Sequence, residues 1–111
     1  MHPTLRWHTE VPVAPGDLRA WDATLSSGPR TAGVEVETRV RDMQALDRRL
    51  QLKCRDAGIE VVILVLSDTH WNRRVIREHA RALGNYPLRT RDIVAALRTG
   101  SVPDASGIAV L

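Results

Sequence analysis

The sequence predicts one α/β domain over residues 1–111, built on a mixed β-sheet that is flanked by helices on both sides. Three observations support this prediction: strand-like segments in the first forty residues, a helical period after them, and a continuous apolar run at 61–66. Short strands in succession favour an antiparallel meander. A strand that follows a crossover helix and is buried on both faces favours a parallel position in the same sheet.

The first three elements are predicted to be strands. Residues 5–13 alternate between apolar and polar side chains, and Pro12 places that strand at an edge or near its end. Residues 18–25 form the second predicted strand, and the loop Ser26–Pro29 follows it. Residues 33–40 alternate strictly, which predicts a third strand with an apolar face and an acidic face.

The period then changes to that of helices. Apolar residues recur at steps of three and four from 41 to 57, which predicts an amphipathic helix that ends at Gly58. The run 59–66 predicts a buried central strand. Polar capping residues and closing glycines then predict the remaining elements. These are a helix at 71–83 with its cap in 67–69, a short helix that Thr90 caps and that runs through Leu97, and a last strand at 108–111.

Composition limits the environment and the partners. Sixteen basic residues against thirteen acids give a net charge of +3, and every basic residue except Lys53 is arginine. Such a balance is compatible with nucleic-acid binding, although a GC-rich genome also enriches arginine. Cys54 stands alone, which excludes an internal disulfide, and the longest apolar run is far below the ~20 residues of a membrane span. We expect a cytoplasmic protein without a membrane partner.

Three carboxylates form the principal candidate site. Glu35 and Glu37 share one face of a predicted strand, about 7 Å apart by the rise of a strand. Asp22 can approach the same place if the second and third strands pair as a hairpin. Converging carboxylates repel one another unless a divalent cation such as Mg²⁺ or Mn²⁺ neutralises them. Acids on a polar strand face more often form a solvated face, and that alternative applies here.

The order of these elements resembles the PD-(D/E)XK nuclease superfamily, which has the restriction-endonuclease-like fold. The shared features are an Asp on the second strand, an acidic E-x-E on the third, and then a helix and a buried strand. The resemblance implies that Asp22 and Glu35 hold Mg²⁺ or Mn²⁺, and it puts Glu37 where the family has a catalytic lysine. Glu37 cannot supply a positive charge, so this position departs from the family pattern.

The helix after the E-x-E element offers replacements for the missing lysine. Gln44 lies seven residues beyond Glu37, where several nuclease branches carry a glutamine. Lys53 and Arg48 lie on the same helix, and either could supply the missing cation. The candidate catalytic residues are therefore Glu37, Lys53 and Gln44, beside the candidate metal ligands Asp22 and Glu35.

A second resemblance covers nearly the whole chain. It is similar to the carboxyl-terminal domain of XRE-type helix-turn-helix transcriptional regulators of actinobacteria. The matching segments are WHTEVPV (7–13), GDLRAWDA (16–23), GVEVETRVRDMQAL (33–46), LKCRDAG (52–58), LSDTHWNRR (66–74) and GIAVL (107–111). Those regulators carry a DNA-binding helix-turn-helix ahead of this domain. No segment here is typical of one, so we expect a separated second domain or a shortened relative.

Together these features favour a restriction-endonuclease-like domain that acts in DNA-linked regulation and cuts DNA weakly or not at all. The first alternative is an active Mg²⁺-dependent nuclease. The second is a protein-interaction module for dimerisation or for a toxin-like partner. We expect DNA as a partner, bound without sequence preference at low salt, because binding through phosphates weakens steeply as salt rises.

Overall fold

The five strands of the chain form one sheet in the sequential order β1-β2-β3-β4-β5. The structure is a computed structural model, and it describes residues 2–111. The elements are β1 (Arg6–Pro12), β2 (Ala20–Ser27), β3 (Arg30–Glu37), α1 (Met43–Ala57), β4 (Val61–Leu66), α2 (His70–Glu78), a 3-10 turn (Ala82–Asn85), α3 (Thr90–Arg98) and β5 (Gly107–Val110). The first two strand pairs are antiparallel and the last two are parallel, which confirms the predicted mixed sheet.

The central part of the sheet is buried on both faces, so the core has two parts, whereas the edge strand β1 is largely exposed. Helix α1 packs against one face, where Leu46 and Leu50 belong to the same cluster as Leu64 on β4. Partly buried residues of α2 pack against this cluster too. On the opposite face, Ile93 of α3 packs with Ile63 of β4. Strand β4 is therefore covered on both sides, as its continuous apolar sequence predicts.

Strand β2 begins two residues later than the predicted 18–25. Asp17 accepts a hydrogen bond from the backbone N–H of Arg19 at 2.9 Å and pairs with the Arg19 guanidinium at 2.7 Å. This local contact extends the turn that follows β1, and it leaves the Leu18 side chain fully exposed, at 102% of its reference area. The prediction was wrong here because a side-chain-to-backbone bond competed with the strand.

Strand β3 is displaced in the opposite direction, since it runs from Arg30 to Glu37 and not from 33 to 40. A tight turn joins Ser27 to Arg30, so pairing starts earlier than predicted. The end is set by the buried Asn72, whose amide donates to the carbonyl of Thr38 at 2.9 Å and accepts from the N–H of Val40 at 3.0 Å. These bonds take residues 38–40 out of the sheet.

The three predicted helices are present with changed ends. Helix α1 begins at the N-cap Asp42 and ends at Gly58, which has the left-handed φ of 68°. Helix α2 ends at Glu78, well before the predicted residue 83. Arg89 occupies the N-cap of α3, whereas the Thr90 hydroxyl accepts from the N–H of Val110 at 2.9 Å. Within residues 2–111, no helix has both the length and the apolar composition needed to cross a membrane.

Candidate active site

The hairpin of β2 and β3 brings Asp22 beside Glu35. The ladder between these strands has its last pair at Ala23 and Val34. One residue further, the Asp22 carboxylate accepts a hydrogen bond from the backbone N–H of Val36 at 2.8 Å. A side-chain oxygen thus replaces the backbone pairing at this point. The main-chain donor that holds Asp22, the N–H of Val36, lies between Glu35 and Glu37 on β3.

Glu35 points into the protein and not toward solvent. It pairs in register with Leu64 of β4, so its side chain emerges on the face of the sheet that α1 covers. Only 5% of the residue is exposed. A carboxylate is seldom buried to this degree without a partner, because an unpaired buried charge loses its hydration.

Lys53 is that partner. Helix α1 directs the Lys53 side chain at the sheet, where its ammonium group donates to a carboxylate oxygen of Glu35 and to the carbonyl oxygen of Ala20 at 2.8 Å. The residue is only 7% exposed. Its ammonium nitrogen also lies 5.5 Å from the centroid of the Trp21 ring, within cation–π range. The Lys53 ammonium group is therefore fixed by two oxygen acceptors and by the Trp21 ring.

The backbone around the pair is shaped for close approach. A Cβ atom at Gly33 would lie 2.6 Å from the Trp21 ring, so only glycine lets the indole settle against β3 there. On the neighbouring strand β1, Glu10 has a positive φ of 51°. It lies opposite Asp22, between the residue pairs Thr9–Ala23 and Val11–Trp21. A non-glycine residue in this region stores strain of about 1–3 kcal/mol, and such strain is concentrated at functional sites.

Electrostatics couple the two carboxylates. Burial raises the pKa of Glu35, the hydrogen bond and charge of Lys53 lower it, and the neighbouring Asp22 raises it again. Burial is the largest of these influences, so the net direction is upward. The negative charge of Asp22 disfavours the ionised form of Glu35, and a cation bound between the two carboxylates would relieve that repulsion.

The donor set fits a hard divalent ion. Mg²⁺ is usually held by one or two carboxylates, with water and substrate phosphate completing its shell. Asp22 and Glu35 provide two carboxylates, and their hydrogen bonds to Val36 and Lys53 each engage one oxygen. In the part of the chain that the structure describes, no three His, Cys, Asp or Glu side chains are grouped to hold a metal ion.

The other predicted residues lie apart from this pair. Glu37 forms an ion pair with Arg49 of α1 at 2.8 Å, a contact that was not predicted. Gln44 and Arg48 are exposed on the outer face of α1. Of the two cations considered for the missing lysine, Lys53 is the one that reaches the carboxylates. Its spacing carried a signal, because Lys53 lies three residues after the buried Leu50 and thus on the inward face of the helix.

No family model matches the chain, and neither a curated protein nor a solved structure is significantly similar to it. The cluster of Asp22, Glu35 and Lys53 and the two sequence resemblances therefore support a function on their own.

Proposed function

We propose that this domain hydrolyses phosphodiester bonds in nucleic acid, with Asp22, Glu35 and Lys53 as a divalent-metal-dependent site in a restriction-endonuclease-like fold. The observation that carries the proposal is the Lys53 ammonium group bound to Glu35 beside Asp22. The PD-(D/E)XK resemblance requires three charges: an acid on the second strand, an acid on the third strand, and a lysine beside these two acids. The lysine comes from α1 and not from the strand.

Apolar side chains could fill the place of the Glu35–Lys53 ion pair in the fold. Leu64, which is paired in register with Glu35, fills the same layer with an aliphatic side chain. A buried ion pair contributes no more to stability than apolar residues of similar volume, and often less. Burial of the two charges costs desolvation free energy that apolar residues would not incur. This favours a chemical role for the pair, since buried charges with perturbed pKa values concentrate at functional sites.

Each residue has a defined part in the proposed reaction. Asp22 and Glu35 would hold the ion. When bound, the ion would lower the pKa of the attacking water and neutralise charge on the phosphate. Lys53 keeps one positive charge beside Glu35, where it can stabilise negative charge that develops on the phosphate. The hydrogen bond from Lys53 to the Ala20 carbonyl fixes where that charge lies. Glu37, paired with Arg49, has no part in this step.

The rest of the chain is suited to a polyanionic substrate. The net charge is +3 and the sequence pI is about 10. Fifteen of the sixteen basic residues are arginines, whose planar guanidinium groups match phosphate oxygens. This composition supports nucleic acid over a neutral substrate, and it accords with the resemblance to domains of DNA-binding regulators.

A cleavage assay tests the proposal. The purified chain is incubated with labelled DNA and RNA, single- and double-stranded, in Mg²⁺, in Mn²⁺ and in EDTA. We expect cleavage that needs metal and falls by about 10²–10³ in rate when Lys53→Met removes the stabilising charge. Asp22→Asn and Glu35→Gln should abolish it. The matched control is Arg48→Gln, an exposed cation of the same helix.

Thermal unfolding of each variant separates loss of activity from loss of structure. Cleavage that survives Asp22→Asn and Glu35→Gln in folded protein would identify a contaminant and contradict the proposal. A wild-type chain that is folded, binds DNA and cuts none of the four substrates would contradict it as well.

That last outcome would favour the second candidate function, a non-cleaving domain in DNA-linked regulation. The observation in its favour is the burial of the pair: Glu35 and Lys53 already neutralise each other with 5% and 7% exposed. A metal ion or a phosphate must compete with that contact, whereas a regulatory domain needs only to bind. Asp22→Asn would then leave DNA affinity unchanged.

A further inference from the structure

A second group of charges lies at the end of β3, outside the acidic pair. The guanidinium carbon of Arg39 lies 4.0 Å from the centroid of the Trp71 ring, and that of Arg74 lies 5.6 Å from it. Both arginines are exposed, and Trp71 itself is 36% exposed. One indole thus holds two guanidinium groups at the surface. We call Arg39, Trp71 and Arg74 the arginine–tryptophan cluster.

The cluster stands on a rigid support. The Trp71 indole N–H donates to the carbonyl of Val40 at 2.7 Å, which fixes the ring on the segment between β3 and α1. The adjacent Asn72 is completely buried and binds backbone groups of Thr38, Val40 and Ser67. The first turn of α2 is capped by Thr69. The two arginines therefore project from a fixed surface, and binding need not order the backbone beneath them.

The positive charge of the cluster is not balanced by neighbouring acids. Across residues 2–111, neither Arg39 nor Arg74 has a carboxylate within ion-pairing distance, although other arginines nearby do. Arg49 pairs with Glu37, and Arg73 pairs with Asp68. Two guanidinium groups without a protein anion form a site for an external one, and arginine is the cation best matched to phosphate.

The position of the cluster relates it to the acidic pair. Glu35 and Glu37 lie on β3, and Arg39 follows two residues after Glu37. Four residues of extended chain span at most ~14 Å. One strand of a duplex advances 3.4 Å per nucleotide, so this span corresponds to at most about four nucleotides. A strand whose phosphate lies at Asp22 and Glu35 would thus reach the cluster within a few nucleotides.

We propose that the arginine–tryptophan cluster binds the phosphate backbone of the nucleic-acid strand that enters the acidic site; its substrate class rests on the proposed function. Arg39 and Arg74 contact phosphate, and Trp71 holds the guanidinium groups in place. Because Arg39 already stacks over the indole, a base is not needed as a stacking partner, and binding here is independent of sequence.

The test measures the salt dependence of binding, in EDTA, so that cleavage plays no part. Fluorescence anisotropy with a labelled duplex of mixed sequence is recorded for wild type, Arg39→Gln and Arg74→Gln at several salt concentrations. Loss of one phosphate contact should reduce the slope of log K against log salt by about 0.9 and lower affinity roughly eightfold near 0.1 M. Trp71→Leu keeps both charges but releases the guanidinium groups, and should weaken binding severalfold.

The matched control is Arg98→Gln. Arg98 is an exposed arginine in the last turn of α3, on the opposite side of the sheet, and it has the same charge. Slopes for Arg39→Gln and Arg74→Gln equal to that of Arg98→Gln would overturn the proposal, because the charge would then act only through the net total. Thermal unfolding shows whether Trp71→Leu is folded, and the two arginine variants decide the matter if it is not.

The two proposals fail separately. Wild type that binds with the predicted slopes but never cleaves would leave the cluster in place and contradict the proposed hydrolysis. Metal-dependent cleavage that is lost in Asp22→Asn, with unchanged slopes in both arginine variants, would do the reverse.

Discussion

Helix α1 makes two different contacts with the same sheet. Against β4 the contact is aliphatic, with Leu46 and Leu50 packed on Leu64. Against β2 and β3 it is ionic, with Lys53 on Glu35. Both contacts are buried to a similar degree, so burial alone does not explain the charged one. Full burial of a leucine side chain contributes about 1.5–3 kcal/mol, whereas a buried ion pair is roughly neutral against apolar residues of its size.

The two contacts differ in how specific their side chains must be. The aliphatic half would tolerate other apolar residues of similar volume. The ionic half depends on two complementary charges, because either one alone is left buried without its partner. Substitutions in the two halves should therefore differ in size, in pH dependence and in how they combine.

Lys53→Met should have the largest effect on stability, about 3–5 kcal/mol near neutral pH, since it leaves the Glu35 carboxylate buried without a cation. Lys53 lowers the pKa of Glu35, so its removal raises that pKa further. A raised carboxyl pKa means that the folded state binds the proton more tightly than the unfolded state. The contribution of Glu35 protonation to the free energy of unfolding is fully present below the pKa of Glu35 in the unfolded state, about 4.3. It is lost as pH rises through the pKa of Glu35 in the folded state.

The measurement for Lys53→Met is urea unfolding across a series of pH values. The gap to wild type should narrow as pH falls and Glu35 becomes protonated. A gap that is constant over pH 4–8, a range that includes the ordinary carboxyl pKa, would mean that Lys53 acts through packing alone and would remove the contrast.

Leu50→Ala tests the aliphatic half. Leu50 is completely buried, and truncation to alanine should cost about 2–5 kcal/mol through lost burial and the cavity that remains. No titrating group is involved, so the loss measured by urea unfolding should be the same at pH 5 and pH 8. A strong dependence on pH would show that the packing at Leu50 also positions the ion pair.

Glu35→Leu combined with Lys53→Met should have the smallest effect on stability. Replacement of both charges by apolar side chains of similar size is neutral or stabilising in other buried pairs, by up to roughly 4 kcal/mol. We expect a double variant at least as stable as wild type in urea, far above Lys53→Met alone. A double variant as unstable as the single one would show that the pair is structural. Cleavage should be absent from the double variant.

Much of the architecture could be predicted from local patterns. The helical period from Met43 to Ala57 and its stop at Gly58 were sufficient for α1, and the apolar run was sufficient for β4. The ends of β2 and β3 were wrong because side chains compete there with the sheet. Asp17 prolongs a turn, and Asn72, distant in sequence, withdraws residues 38–40 from the ladder.

For the candidate site, the sequence offered Asp22 and Glu35 as candidate acids, because the alternation along β3 and a hairpin with β2 would bring them together. It offered both Lys53 and Arg48 as the cation and placed Lys53 among the candidate catalytic residues. Only the tertiary structure decided between them, since the rotation of α1 on the sheet buries Lys53 against Glu35, exposes Arg48 and gives Arg49 to Glu37. The physical reason is that the helical period determines which residues share a face of α1, whereas the packing of α1 on the sheet determines which side chains of the sheet each of them contacts.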